Sequence, residues 1–185
     1  MNVAVFGGSF NPPHVAHVLA CALVLSVEDV DRLLVVPTFR HPFAKALAPF
    51  DDRVSMCELA MGWIPRVTVS RIEEDLGGES RTLRTLRHIA ETNPQWNLRL
   101  VIGADLIAEA PRWFGFDDIE KIAPPIVLAR AGSGTANAGP VLLPDVSSTE
   151  VRAAIGRGAW NEVAKLVPRP VVEHVRARGL YDAPE

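Results

Sequence analysis

Cysteine is scarce in this sequence, and its scarcity argues against two kinds of stabilising site. Cys21 and Cys57 are the only cysteines among 185 residues. Neither belongs to a C-x-x-C or Cys/His ligand pattern, so neither a cysteine metal site nor a structural disulfide is expected. Both lie in apolar segments of helical period, which predicts buried thiols that pack as small hydrophobic residues. A reducing cytoplasm suits such a chain.

The sequence also lacks a basic surplus and a long apolar run. Its 19 Lys and Arg against 22 Asp and Glu give a formal net charge of −3, whereas broad binding to nucleic acid needs a clear excess of positive charge. The longest apolar stretch, residues 18–27, is too short to span a bilayer, and no signal peptide is visible at the start. We therefore expect a soluble, cytoplasmic protein that acts on a small molecule, with neither nucleic acid nor membrane as a partner.

Short aliphatic runs alternate with longer segments of helical period. Strands are predicted at residues 3–6, 33–36, 67–69, 98–102, 126–129 and 141–143, and helices at about 14–28, 51–63, 82–92 and 117–122. Nearly uniform apolar runs are typical of parallel strands covered on both faces. The pattern predicts one domain over residues 1–185, an α/β fold with a doubly wound, mainly parallel sheet. Its ligands should bind beyond the carboxyl ends of the strands.

The C-terminal part of the chain, about 148–182, is predicted to be helical. Three helices are expected there, at residues 148–157, 160–166 and 170–178. Gly179 should form the C-cap of the last one. Earlier in the chain, Asp51 or Asp52 is expected to cap the second helix and Asn93 to end the third. The small residues at 131–139 indicate a mobile loop.

A glycine-rich turn directly follows the first predicted strand. Gly7 and Gly8 precede Ser9 and Phe10, and a helix is expected a few residues later. Glycine lets the backbone approach an anion closely, and the first N–H groups of a helix point toward it. The turn matches neither the G-x-G-x-x-G fingerprint nor a P-loop. By itself it is therefore compatible with a tight connector as well as with a phosphate site.

Two histidines at the start of the first helix favour the phosphate site. His14 and His17 are three positions apart, so they share one helix face. Their imidazoles can donate hydrogen bonds to a polyphosphate and stabilise the charge that develops during transfer. Half of a metal site and a purely structural pair are the alternatives, although no third ligand at a suitable spacing is apparent. No metal held by protein side chains is expected.

A second helix start carries a similar group of residues near the C-terminus. Ser147 or Ser148 can cap this helix, with Glu150 completing the cap. Arg152 lies one turn in, where it can reach an anion held at the helix N-terminus. A well-capped helix with no ligand is the alternative, but hydroxyls, amides and a guanidinium together suit terminal phosphates.

Taken together, these motifs resemble the nucleotidyltransferase superfamily and, within it, bacterial nicotinate-nucleotide adenylyltransferase. Residues 7–17 match the family's G-G-[ST]-F-x-P-x-H-x-G-H, and residues 146–152 match I-S-S-T-x-[IV]-R. Residues 102–105 match its G-[AT]-D, and residues 111–113 its aromatic segment. With residues 167–181 matching the closing V-P…G-L-Y, the resemblance covers nearly the whole chain.

The resemblance implies a Rossmann-like nucleotidyltransferase fold and a reaction. The protein would transfer the adenylyl group of ATP to nicotinate mononucleotide, giving nicotinate adenine dinucleotide and pyrophosphate in NAD biosynthesis. Mg²⁺ would be held mainly by the ATP phosphates. Another phosphorylated acceptor, such as nicotinamide mononucleotide or phosphopantetheine, and a non-catalytic nucleotide-binding paralogue are the alternatives. The oligomeric state is left open.

The resemblance also assigns roles to individual residues. Catalysis would fall to His14, His17, Lys45 and Arg152. ATP would be bound by Gly8, Ser9, Phe10, His14, His17, Gly103, Asp105, Ser148, Thr149 and Arg152. The acceptor would be bound by Ser9, Phe10, Lys45, Thr82, Asp105 and Trp113. Without the resemblance, Lys45 would fit a solvated loop, Asp105 a helix N-cap and Trp113 a core residue.

Three positions depart from the family pattern. Ala16 replaces the glycine between the histidines and adds a methyl group where the nucleotide should approach. Arg81 and Arg84 occur in a segment that reads S-Y-T-x-[DE]-T in the family, and they add two positive charges near the expected acceptor pocket. We expect Arg81 and Arg84 to influence the choice of acceptor more than the reaction.

Overall fold

A parallel sheet with helices on both faces forms the framework of the protein. The computed structural model describes residues 1–41, 46–107, 113–129 and 143–182. The elements are β1 (Asn2–Gly8), α1 (Val15–Val27), β2 (Arg32–Pro37), α2 (Phe50–Met61), β3 (Val67–Val69), α3 (Ile72–Leu76), α4 (Thr82–Thr92), β4 (Asn97–Gly103), α5 (Ala104–Ile107), α6 (Phe116–Ile122), β5 (Pro125–Leu128), α7 (Ser148–Gly156), α8 (Trp160–Leu166) and α9 (Arg169–Arg178). Within these residues no helix is long and apolar enough to cross a membrane.

The strand order places a crevice beside β1. The five strands run in the order β3-β2-β1-β4-β5, and every neighbouring pair is parallel. The chain moves outward from β1 to β3 and then returns to the other side of β1 with β4. Such a reversal opens a crevice at the carboxyl ends of the two central strands. The predicted doubly wound parallel fold is thereby confirmed.

Each face of the sheet carries its own hydrophobic cluster, because successive residues of a strand point to opposite faces. Ala4 of β1 packs in the cluster formed with α1, α2 and the C-terminal helices. Val3 and Val5 pack instead in the cluster formed with α4 and α6. Both faces of β1 are therefore covered, which explains its uninterrupted apolar sequence.

The predicted elements agree with the structure except in a few places. Helix α3, of five residues, was not predicted. Helix α5 has four residues and begins at Ala104, so Asp105 lies within it and is not the N-cap that was its alternative role. The predicted strand at 141–143 falls mostly outside the described residues, although the Leu143 N–H donates to the Ala129 carbonyl at 2.9 Å. The predicted loop at 131–139 also lies outside them. Asn93 and Gly179 are C-caps as predicted, and Gly179 has a φ of 59°.

The predicted cap of α2 is wrong. Its N-cap is Pro49, and Asp51 and Asp52 lie in the first turn. Asp52 is buried instead, and its Oδ1 accepts hydrogen bonds from His174 Nε2 at 2.9 Å and from Arg178 Nε at 3.0 Å. Burial by itself would raise the pKa of Asp52, but the hydrogen bonds from Arg178 and His174 hold it below its ordinary value. The carboxylate therefore joins α9 to α2.

Candidate active site

The predicted glycine turn is partly strand, because Gly7 and Gly8 are the last residues of β1 and pair with β2. The turn after β1, residues 9–13, inserts an aromatic ring into the core. Phe10 is only 2% exposed and has a φ of 45°. Its ring stands perpendicular to that of Phe6, with centroids 5.5 Å apart, and lies 4.9 Å from the ring of His17. A Cβ on Gly8 would come within 3.1 Å of the Phe10 ring. Gly8 thus makes room for Phe10, which in turn supports His17.

The two histidines lie against each other at the start of α1. His14 is the N-cap residue, and its backbone N–H donates to Nδ1 of His17 at 3.1 Å. The ring centroids are 3.8 Å apart, with an angle of 32° between the ring planes. Because Nδ1 of His17 accepts a hydrogen bond, Nε2 carries the hydrogen in the neutral ring. His17 can therefore act as a hydrogen-bond donor through Nε2.

The start of α7 is capped as predicted. Ser147 is the N-cap residue; its Oγ accepts from the Glu150 N–H at 3.2 Å, and its own N–H donates to Glu150 Oε2 at 2.7 Å. The side-chain and backbone hydrogen bonds from Ser147 lower the pKa of Glu150. This reciprocal capping box sets where the helix begins.

Helix α7 is joined to the turn after β1 by two side chains. The Ser148 hydroxyl donates to the Pro12 carbonyl at 2.9 Å, and Arg152 Nη1 donates to the Asn11 carbonyl at 2.7 Å. These partners are 136 and 141 positions apart in the sequence. Arg152 Nη2 also donates to Thr149 Oγ1 at 3.3 Å. The structure thus brings the two predicted phosphate motifs together, with Ser148 and Arg152 in direct contact with the turn.

Asn11 is a further residue of this centre that the sequence did not single out. Its side chain is almost completely buried, and Oδ1 accepts from the Tyr181 hydroxyl at 2.9 Å and from the Ala48 N–H at 3.0 Å. Burial raises the pKa of Tyr181, so its hydroxyl remains a donor at neutral pH. Asn11 therefore links the turn to the C-terminus and to the segment before α2.

Arg53 of α2 was also missed. This arginine is 1% exposed, and its guanidinium donates to the carbonyls of Ser9, Thr38 and Ala48 at 3.1, 2.7 and 2.9 Å. Burial lowers its pKa from the ordinary value, but an arginine remains protonated in a folded protein. A permanent positive charge therefore lies directly beneath the turn. No sequence pattern predicts the burial of Arg53, because a single arginine in a helix is usually a surface residue.

Gly103 ends β4 next to β1, at the expected crevice. It lines a small cavity of about 30 Å³ together with Phe6, Ala16, His17, Ala20, Leu128 and Leu143. Ala16, the residue in place of the family glycine, is 2% exposed, so its methyl group forms part of the cavity wall. The side chains of Asp105 and Lys45 lie outside the described residues.

Two of the predicted acceptor residues, Thr82 and Trp113, lie on the other face of the sheet from the histidines. Thr82 is the first residue of α4. The ring of Trp113 packs edge-on against that of Phe116, with ring centroids 6.3 Å apart, beside the hydrophobic cluster of α4 and α6. The histidines, by contrast, begin α1, whose core residues belong to the opposite cluster. The two groups can meet only across the crevice at the strand ends.

The two unusual arginines have local partners. Arg81 forms an ion pair with Glu79 at 2.9 Å. Arg84 donates to the carbonyls of Leu76 and Gly77 at the end of α3. With other residues of α4, both line an open groove of about 590 Å³ whose wall includes the exposed Phe114. Both side chains are therefore bonded to residues of the connection between α3 and α4.

Comparison with known proteins agrees with this geometry. A family model described as Cytidylyltransferase-like matches residues 5–154. The curated "Probable nicotinate-nucleotide adenylyltransferase" of Anaeromyxobacter sp. (strain K) is 42% identical over 182 residues, which cover 97% of this chain and 96% of that protein. The protein of the same name from Myxococcus xanthus (strain DK1622) is 37% identical over 185 residues, with 98% and 95% covered.

A solved structure matches the fold. The Plasmodium falciparum nicotinic acid mononucleotide adenylyltransferase complexed with NaAD superposes with a TM-score of 0.84 and covers 97% of both chains, at 18% identity. The family model spans most of this chain, and the curated relatives match it nearly from end to end. The chain therefore belongs to the cytidylyltransferase-like family and, within it, to the nicotinate-nucleotide adenylyltransferases.

Proposed function

We propose that the protein transfers the adenylyl group of ATP to nicotinate mononucleotide, forming nicotinate adenine dinucleotide and pyrophosphate. The observation that carries the proposal is the meeting of two helix starts, those of α1 and α7, on the turn at the carboxyl end of β1. Helix starts present N–H groups and the positive end of the helix dipole to an anion. A triphosphate is the ligand that best matches two such starts with histidines and an arginine beside them.

The reaction needs positioning and charge stabilisation rather than a protein nucleophile. A 5′-phosphate oxygen of the acceptor attacks the α-phosphorus of ATP in line, a new P–O bond forms, and the bond to the leaving pyrophosphate breaks. Since the attacking oxygen is already anionic, no general base is required. The catalytic gain comes from holding both phosphates in line and from donors aimed at the developing charge.

Within this proposal, each residue at the two helix starts has a stated task. His17 donates from Nε2 to the transferred α-phosphate, and His14 donates to the neighbouring phosphates. Arg152 uses two of its five N–H groups in bonds to described residues, and the others can reach phosphate oxygens. Lys45 would neutralise further charge, while Ser148 and Thr149 would bind the ATP tail.

The remaining contacts would come from the turn and from the far side of the crevice. The proposed backbone groups belong to Gly8, Ser9, Phe10 and Gly103. Asp105 would bind a ribose, Thr82 would lie near the acceptor ring, and Trp113 would stack on it. Trp113 and Thr82 lie across the strand ends from the histidines, so the acceptor would extend from one face of the sheet to the other.

We also propose that Mg²⁺ accompanies ATP. Among the residues with described side chains, no group of three or more His, Cys, Asp or Glu is arranged to hold a metal ion. The ligands of this ion would be phosphate oxygens and water, as is usual for Mg²⁺ with nucleotides. When bound, it would neutralise phosphate charge. A cytoplasmic location is proposed from the sequence argument alone.

A pyrophosphate-release screen tests the function. ATP or CTP would be combined with nicotinate mononucleotide, nicotinamide mononucleotide or phosphopantetheine, and we expect the highest kcat/KM with ATP and nicotinate mononucleotide. The sequence led us to expect that Arg81 influences the choice of acceptor, but its ion pair with Glu79 favours a smaller role. Arg81→Tyr, which restores the family residue, should therefore change the preference between the two pyridine nucleotides little. Faster turnover with another acceptor would contradict the proposed substrate. Tight ATP binding without pyrophosphate release would indicate a non-catalytic paralogue.

A further inference from the structure

The buried guanidinium of Arg53 is hydrogen-bonded to the backbone segment that follows β2. Arg53 donates to the carbonyl of Thr38, which directly follows β2, and to the carbonyl of Ser9, which directly follows β1. Its third bond goes to the Ala48 carbonyl, just before α2. One guanidinium thus sets the spacing between the exits of two adjacent strands.

The chemistry of this contact is specific to arginine. The forked N–H groups of a guanidinium reach several acceptors at once, whereas a lysine offers its donors from one nitrogen atom. Burying a charge opposes folding, and an apolar side chain of similar volume often serves packing as well or better. The position of Arg53, 1% exposed and bonded to carbonyls in three separate backbone segments, therefore points to a role in positioning the backbone.

The same segment is held from the other side by Glu73 of α3. Glu73 Oε2 accepts from the Phe39 N–H at 3.0 Å, and Glu73 Oε1 accepts from the Thr85 hydroxyl at 3.1 Å. Ser80, just before α4, holds the same segment: its Oγ accepts hydrogen bonds from the N–H groups of Phe39 and Arg40, at 3.0 and 3.2 Å. Residues 39 and 40 are therefore bonded to Ser80, just before α4, and Glu73 connects Phe39 to Thr85 within α4.

We propose that Arg53 and Glu73 are positioning residues that couple the ATP site to the acceptor site through residues 38–40. The coupling follows a continuous path from the turn after β1, through Arg53 to Thr38, and from Phe39 through Glu73 to Thr85 of α4. It rests on the proposed function, because the turn serves ATP and the start of α4 serves the acceptor only under that assignment. A displacement at either end is transmitted because Thr38 and Phe39, both only partly exposed, are each fixed by a hydrogen bond to a side chain that also holds the turn or α4.

Separate and combined variants of the two residues test the coupling. Arg53→Lys and Glu73→Ala should each reduce kcat/KM by about 10-fold, and each should raise the KM of both substrates. The double variant should lose far less than the product of the two single losses, because either change breaks the same path. Glu73→Gln should recover most of the activity, since an amide oxygen still accepts from Phe39.

A matched control separates positioning from general destabilisation. Val24 is fully buried near the C-terminal end of α1, far along the helix from the carboxyl ends of the strands. Val24→Ala should lower the melting temperature while leaving both KM values unchanged. The coupling is refuted if Glu73→Ala alters only the acceptor KM, Arg53→Lys alters only the ATP KM, and the loss of kcat/KM in the double variant equals the product of the two single losses. It is refuted equally if both variants behave like Val24→Ala.

Calorimetric ATP binding keeps this inference distinct from the proposed function. Glu73 lies in α3, away from the two helix starts that are assigned to ATP, yet Glu73→Ala should weaken ATP binding about 10-fold. If the wild type binds ATP but releases no pyrophosphate with any acceptor, the proposed function fails while this measurement still decides the coupling. An unchanged ATP dissociation constant in Glu73→Ala would refute the coupling even in a fully active enzyme.

Discussion

Replacing Gly8 by alanine should disturb the active site through one aromatic ring. The added methyl group would lie 3.1, 3.2 and 3.4 Å from three ring carbons of Phe10. Phe10 has little room to retreat because it is 2% exposed and packs against Phe6 and His17. The ring must therefore shift by a few tenths of an ångström, and His17 is one of the two neighbours that would move with it.

Neighbouring Gly7 provides a matched control. A Cβ on Gly7 meets nothing within 4 Å, and neither glycine has a left-handed φ. Changing Gly to Ala without strain stabilises a protein by about 0.5 kcal/mol through the unfolded chain, whereas overpacking a core costs about 1–3 kcal/mol. We expect Gly7→Ala to gain about 0.5 kcal/mol and Gly8→Ala to lose about 1.5 kcal/mol of unfolding free energy.

Thermal unfolding and pyrophosphate release together measure the effect. A difference of about 2 kcal/mol corresponds to melting temperatures roughly 4–8 °C apart in a protein of this size. Gly8→Ala should also lower kcat, and Phe10→Leu in the same chain should remove much of the stability loss, since the clashing ring carbons are absent. If Gly8→Ala melts at the same temperature as Gly7→Ala and keeps the wild-type kcat, the Phe10 ring does not transmit the change to His17.

Three further substitutions test other parts of the site and fold. His17→Ala should lower kcat by about 100-fold or more but leave the ATP dissociation constant nearly unchanged, and near-normal turnover would exclude its proposed role. Arg152→Lys should raise the KM of ATP about 10-fold, because a lysine cannot bond to the turn and to phosphate in the same fork geometry; an unchanged KM would contradict this. Asp52→Asn should cost about 1–2 kcal/mol of unfolding free energy at pH 7, after allowance for the exposure of Arg178. The pKa of Asp52 is lowered in the fold, so the ionised carboxylate stabilises the protein at pH values above 3.8, its ordinary pKa. This stabilisation is lost as the pH falls through the lower pKa of the folded state. The stability gap between Asp52→Asn and wild type should therefore close below pH 4 in denaturant titrations, and a constant gap would refute the assignment.

Local patterns were sufficient to predict most of the framework. The apolar runs of the five observed strands and the start of α4 at Thr82 could be read directly, because side-chain period and helix signals depend on near neighbours in the chain. For the same reason Gly179 was predicted as a C-cap and Ser147 as one of two candidate N-caps. The family resemblance and the α/β fold are confirmed by the comparisons and the sheet. The binding roles of individual residues stay predictions.

The errors have physical causes as well. Helix α3 was missed because five residues are too short to display a helical period. The cap of α2 was misassigned because an aspartate at a helix start is normally a local cap, whereas Asp52 is held by His174 and Arg178 from α9. No nearby residue reveals such a distant partner.

What the sequence determined by itself is therefore the type of each main element, the parallel sheet and the family that the two helix-start motifs indicate. Only the tertiary structure decided how the motifs are joined: Arg152 and Ser148 bind the turn after β1, and Asn11 accepts from Tyr181 at the far end of the chain. The buried position of Arg53 was likewise decided only by the tertiary structure. Periodicity and caps are local properties, but a hydrogen bond between residues more than a hundred positions apart exists only once packing has brought them together.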